Sequence, residues 1–174
     1  AESFMTHMGE IFIEYQMSGL PRDRRGNRHP AYAPQGAYKC EGEDNWIAIS
    51  VTNAEQWNLF CEIIALGLDK DPRFSTMENR VKNHDDLDSV ITAWTLVRDR
   101  YTVMNALQAK GIPSGVVLNC GPDTYADPHL NEREFFQIVE HPEAGIFPMS
   151  GPVLRFDSSY GSLTHNPSPT LGQH

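Results

Sequence analysis

Gly36-Ala37-Tyr38-Lys39-Cys40-Glu41-Gly42-Glu43-Asp44-Asn45-Trp46-Ile47-Ala48-Ile49-Ser50-Val51 is the stretch that decides the fold class. Tyr38 and Cys40 on one side, and Trp46, Ile47, Ile49 and Val51 on the other, bracket a polar turn at residues 41–45 that contains Gly42. Aromatic and β-branched runs on either side of such a turn predict an antiparallel hairpin, with a loop of common length. The next four residues change the rhythm. Thr52-Asn53-Ala54-Glu55 has capping-box spacing, in which a hydroxyl accepts from the amide three residues on and the Glu reaches back. A helix is expected from there, with Trp57, Phe60, Cys61 and Ile64 on its apolar face and Gly67 as its C-terminal cap.

Working outward, Ser75-Thr76-Met77-Glu78 repeats the capping signature for a shorter helix to about Asn83. Leu87, Val90, Ile91 and Trp94 mark a third helix, and Val103, Met104 and Leu107 a fourth, closed by Gly111 and blocked by Pro113. Two helical turns follow at residues 122–126 and 127–134. Phe135 to His141 then reads as a strand, with Gly145 to Met149 as its partner across Pro142-Glu143-Ala144. Near the N-terminus, Phe4, Met8, Ile11, Phe12 and Tyr15 form the stripe of an amphipathic helix that Gly19-Leu20-Pro21 stops, and something must cover it. Residues 21–30 have no apolar period and read as an exposed basic linker.

The expected fold is α+β: a small antiparallel sheet with an inserted block of helices, preceded by a linker helix. The expected organisation is a linker helix and basic loop over 1–30, a small α+β domain over 31–155, and an extended C-terminal segment over 156–174.

The chain has 174 residues, 40% hydrophobic and 21% charged, which fits one globular domain, with or without extensions, and argues against two full-sized ones. Its 14 Lys+Arg against 23 Asp+Glu give a formal charge of −9. That field repels phosphate backbones, so no nucleic-acid partner is expected. The basic residues cluster once, at Arg22, Arg24, Arg25 and Arg28. The acidic excess elsewhere excludes a polybasic membrane surface, no run is long enough to span a bilayer, and no signal-peptide pattern opens the chain. No membrane partner and a cytoplasmic location are the expectations. Cys40, Cys61 and Cys120 lack zinc or disulfide spacing and are expected to be buried thiols. Ala1 and the unfinished patterns at both ends fit a piece of a longer chain.

Chemistry-bearing motifs are few. There is no G-x-S-x-G, and Ser114-Gly115 reads as loop. Neither a Walker A nor a G-x-G-x-x-G phosphate cradle occurs. His129-x-x-Glu132 has no third ligand in its pattern and reads as a solvated helix face, so no metal is expected. Asp85, Asp86 and Asp88 at a helix start are read as carboxylates favoured by the helix dipole, and Asp127 before Pro128 as a cap. Gly26-Asn27-Arg28-His29-Pro30 differs, because it joins a flexible Gly, a cation and a titratable ring without structural period. Arg suits phosphate and carboxylate. An exposed hydrophilic linker and a binding segment both remain open here.

Several pieces come in one order: Gly26-Asn27-Arg28-His29-Pro30, Ala33-Pro34-Gln35-Gly36-Ala37-Tyr38, Trp46-Ile47-Ala48-Ile49, Asp71-Pro72-Arg73-Phe74 with Asn79-Arg80, Gly111-Ile112-Pro113-Ser114-Gly115-Val116-Val117, Asp127-Pro128-His129-Leu130 and Pro169-Thr170-Leu171-Gly172-Gln173-His174. Together they resemble the small, C-terminal domain of family III CoA-transferases, the group of formyl-CoA and carnitine CoA-transferases and α-methylacyl-CoA racemases. The resemblance implies CoA transfer from an acyl-CoA thioester to a carboxylic acid, through attack of an Asp carboxylate, or in the racemases a proton transfer next to the thioester carbonyl. It implies coenzyme A thioester as substrate rather than a covalently bound cofactor. It also implies that the catalytic Asp lies in a large N-terminal domain, so no catalytic residue is carried over and this chain alone is expected to be inactive.

Gly26, Asn27, Arg28 and His29 are the substrate-binding candidates. Formyl-CoA transferases continue from this point into a glycine run, where Arg28-His29-Pro30 stands here. Pro fixes φ, which argues against a flexible lid. Arg28 and His29 are instead candidates to meet an acyl carboxylate or the thioester carbonyl. The family's interlocked chains imply a homodimer. A freestanding, non-catalytic binding domain is the alternative from another class: a large domain encoded upstream of Ala1 supports the enzyme, and a start codon close to Ala1 the alternative.

Overall fold

The computed structural model describes residues 2–154 and 166–173. Most of the expected C-terminal segment, 156–165 with His174, lies outside the described residues. The chain divides into two compact units, Ala1–Val117 and Leu118–His174. The fold is α+β, with antiparallel sheets of three and two strands and an N-terminal helix.

In the first unit, β1 (Gln35–Lys39) and β2 (Trp46–Ser50) form the expected hairpin, with Tyr38 opposite Ile47 and Ala37 opposite Ala48. β3 (Ser114–Val117) pairs antiparallel with the other edge of β2, setting Gly115 opposite Ala48. Ser114-Gly115 is therefore strand rather than the expected loop. Four residues bounded by Pro113 carry too short a pattern to announce a strand, and pairing with β2 supplies what the local sequence does not.

Between β2 and β3 lies the helical block: α3 (Ala54–Ile64), α4 (Met77–Lys82), α5 (His84–Thr95) and α6 (Arg100–Gln108). Trp57, Phe60, Cys61, Ile64, Leu87, Ile91, Trp94, Val103 and Leu107 are buried from these helices, as their periodicity requires. They pack with Tyr38, Cys40, Ile47, Ile49 and Val51 from the hairpin into one core. Period-2 alternation puts these hairpin residues on one face of the sheet, and α5 and α6 cover it.

The caps sit one residue later than expected. Asn53, not Thr52, caps α3, its side chain accepting from the Gln56 amide at 2.9 Å, while Gln56 Oε1 takes the Thr52 amide at 2.9 Å. Two overlapping spacings competed, and Asn is the stronger cap. Asn53→Ala is expected to cost about 1 kcal/mol, read as a shift in the urea midpoint. Thr76, not Ser75, likewise caps α4. α3 ends with Ala65 in the left-handed region at φ 54°, and Gly67, at φ 69°, opens the following 3₁₀ turn instead of capping the helix.

The N-terminal helix is broken. α1 (Glu2–Met5) passes through a 3₁₀ turn, Thr6–Met8, into α2 (Gly9–Ser18), which Gly19 ends at φ 70°. No residue of α2 is buried, and Phe4, Phe12 and Tyr15 are exposed.

The second unit holds α7 (Pro122–Ala126), α8 (Pro128–Glu132) and the hairpin of β4 (Phe136–His141) with β5 (Gly145–Ser150). Asp127 caps α8 by accepting from the Leu130 amide at 2.9 Å. Among the described residues no helix is long and apolar enough to cross a membrane.

Candidate functional site

The basic segment is anchored at two points rather than free along its length. Arg22 pairs with Glu14 of α2, and Arg28 reaches α5, where it pairs with Asp85 at 2.7 Å and with Asp88. Gly26 supplies the turn before it, at φ 60°, a conformation glycine adopts without penalty.

Asp88 gathers the neighbourhood. Its Oδ2 accepts from Arg28 Nε at 3.0 Å, its Oδ1 accepts from the Tyr38 hydroxyl at 2.8 Å, and His84 Nε2 lies 3.5 Å away. Burial, followed by the Asp88 charge, raises the Tyr38 pKa far above the ordinary phenol value. Tyr38 thus stays a donor. Partial burial works against the Arg28 charge, and the hydrogen bonds to Asp85 and Asp88 outweigh it. Asp85 and Asp86 do sit in the first turn of α5. Asp88, read from sequence as a third dipole carboxylate, is instead the group that ties loop, sheet and helix together.

His84 is buried, and burial holds its pKa below the ordinary imidazole value; Arg28 adds to this, while Asp88 and Asp85 oppose it. The unfolded chain therefore binds its proton first as pH falls. Stability is expected to be full above the ordinary histidine pKa, near 6.5, and to decline as pH drops through it toward the lower folded value. Urea midpoints between about pH 7.5 and 5.5 check this, and His84→Gln should flatten the decline.

His29 stacks on Tyr32, with ring centroids 4.2 Å apart and planes 17° apart, and its Nδ1 accepts from the Ala31 amide at 3.1 Å. Asn27 reaches a different place. It stands at the rim of an open cleft of about 600 Å³ on the sheet face turned away from the helices. The floor is a row of small residues, Ala37, Ala48 and Gly115, one from each strand, with Gln35 and Ser50 joined at 3.1 Å beside them. Small side chains let a flat or apolar ligand approach the backbone closely, and the exposed Asn27 amide with the half-buried Gln35 amide and Ser50 hydroxyl can orient its polar end.

The structure thus brings Arg28 to the Asp88 cluster, sets His29 beside it on the Arg24 and Arg25 side, and leaves Asn27 at the sheet cleft. Sequence reasoning passed over Asp88, Tyr38 and the small-residue floor. Only the alternation of Ala37 and Ala48 with buried neighbours hinted at the floor.

Other motifs resolve into architecture. Asp71-Pro72-Arg73-Phe74 is a 3₁₀ turn in which Asp71 accepts from the Arg73 amide at 2.9 Å and Phe74 is buried. Hydrogen bonds from the Arg73 side chain and amide hold the Asp71 carboxyl below the usual range. Cys40 and Cys61 are buried thiols, and burial pushes Cys61 up to about 12. Cys120 is exposed, against expectation, because the polar loop before α7 carries no apolar pattern that would draw it inward. Among the described residues no group of three or more His, Cys, Asp or Glu side chains is arranged to hold a metal.

The sequence model of CoA-transferase family III matches residues 1–174. The chain is 32% identical over 179 aligned residues to the succinyl-CoA–D-citramalate CoA-transferase of Chloroflexus aurantiacus, covering 99% of this chain and 42% of that protein. It is 29% identical to the formyl-CoA:oxalate CoA-transferase of Streptomyces avermitilis, covering 87% of this chain and 37% of the relative. A CaiB/BaiF family protein from Brucella suis superposes with a TM-score of 0.75 at 27% identity, over 95% of this chain and 42% of that one. The chain therefore spans less than half the length of these relatives.

Proposed function

The chain belongs to CoA-transferase family III, and from that premise we propose that it is the small, C-terminal portion of an enzyme that moves CoA from an acyl-CoA thioester to a carboxylic acid. The observation that carries this reading is a family match running through all 174 residues, beside an alignment that takes in 99% of this chain and 42% of the Chloroflexus relative. In this reading the nucleophilic carboxylate is supplied by residues outside 1–174, and the chain contributes a wall of the acyl pocket. The exposed sheet face with its Ala37-Ala48-Gly115 floor suits that wall. Of the four candidate loop residues, Asn27 lines that cleft, Gly26 and Arg28 lie beside Asp88, and Asp88 is the residue that positions Arg28. The exposed aromatic residues Phe4, Phe12 and Tyr15 support a homodimer, since apolar surface of this kind favours a partner.

The test incubates the 174-residue chain with succinyl-CoA and a panel of carboxylic acids and follows thioester exchange by chromatography. No transfer above the uncatalysed rate is expected. Transfer by this chain alone would put the catalytic group within residues 1–174 and overturn the assignment of roles.

A further inference from the structure

Arg24 and Arg25 stand apart from the other cations of their segment. Arg22 is neutralised by Glu14 and Arg28 by Asp85 and Asp88, whereas Arg24 and Arg25 enter no ion pair among the described residues. Both line a depression of about 490 Å³ together with Arg28, His29 and His84; the rest of its wall is aliphatic, and no carboxylate lines it. In a chain of formal charge −9, this is a local reversal of sign in a concave wall, which focuses the field on a small anion.

His29 adds direction to that field. Its ring is fixed by the Tyr32 stack, and its Nδ1 is occupied as an acceptor by the Ala31 amide. A neutral His29 therefore carries its proton on Nε2 and remains a donor there. Guanidinium forks match carboxylate and phosphate oxygens in the same planar, bidentate way. The wall thus offers two arginines not engaged by acids and, beside them, an imidazole held by its stack, an arrangement suited to more than one negative oxygen. Its volume suits a small molecule, and the acidic remainder of the chain opposes a polyanion.

We propose that the depression bounded by Arg24, Arg25 and His29 is an oxyanion site that takes a small dianion, either a dicarboxylate or a phosphate. The site is separate from the sheet cleft and does not depend on CoA transfer.

The test titrates the 174-residue chain at low ionic strength with succinate, inorganic phosphate and acetate, following histidine ring signals by NMR and heat by calorimetry. Succinate and phosphate should bind saturably, about tenfold or more tighter than acetate, because a second charged hydrogen-bonded pair is engaged. Tighter binding of succinate would identify the dicarboxylate source, and tighter binding of phosphate the phosphate source. Added salt should weaken both. Arg24→Gln/Arg25→Gln should lose about tenfold or more in affinity with its thermal midpoint unchanged, since both residues are exposed, and Arg22→Gln should bind like the parent. The proposal fails if no saturation occurs by about 50 mM, if acetate binds as well as succinate, or if the double variant binds unchanged.

Discussion

Arg80→Ala is expected to destabilise the first unit by about 3 kcal/mol, read as a fall in the urea midpoint with unchanged slope. Arg80 is only 3% exposed. Its Nε donates to the Ala33 carbonyl at 2.8 Å and its Nη1 to the Phe74 carbonyl at 3.0 Å, and its guanidinium lies 4.3 Å over the Trp57 ring. No carboxylate pairs with it among the described residues. Two effects compete. Burial of an unpaired charge is costly and depresses the Arg80 pKa, so removing the charge relieves that cost. Truncation also strands two carbonyls, at about 1–3 kcal/mol each, and leaves a void beside Trp57. The second effect is the larger.

Arg80→Met separates the two, because it fills much of the volume without charge or donors. It should fall between the parent and Arg80→Ala. A Met variant as stable as the parent would show that desolvation cancels the carbonyl bonds, and would sink this account.

Asp88→Ala is expected to cost about 2 kcal/mol and to release the basic loop. The Arg28–Asp88 pair is partly exposed, with side chains 36% and 24% accessible, so solvent discounts the Coulomb part. Most of the loss comes from the buried Tyr38 hydroxyl left without its acceptor. Amide exchange over residues 24–30 should quicken, since the loop loses one of its two anchors on α5. Tyr38→Phe is the control. It removes the same hydrogen bond from the other side, should cost about 1 kcal/mol, and should leave the loop protected through Arg28. Equal loop exchange in both variants would remove Asp88 from its positioning role.

The elements of this fold were legible where the signal is local. Trp57, Phe60, Cys61 and Ile64 repeat at helical spacing, and the Gly42 turn sits between two apolar runs, so α3 and the first hairpin could be read directly. Caps were legible to within one residue, because overlapping Thr52-x-x-Glu55 and Asn53-x-x-Gln56 spacings offer the same chemistry. The fate of Phe4, Phe12 and Tyr15 was not legible, since a periodic stripe states that a face is apolar and not what meets it.

The candidate site divides the same way. The sequence by itself determined that Arg22, Arg24, Arg25 and Arg28 concentrate charge in an acidic chain and that Gly26 can turn, because composition and local backbone preference require nothing beyond neighbours. Only the tertiary structure decided which cations are spent and which remain. Arg28 meets Asp88 across 60 residues, and Tyr38 meets it across 50. Such pairings depend on α5 packing against β1, and no local spacing encodes a contact whose two halves come together only when helix and sheet bury their apolar faces against each other.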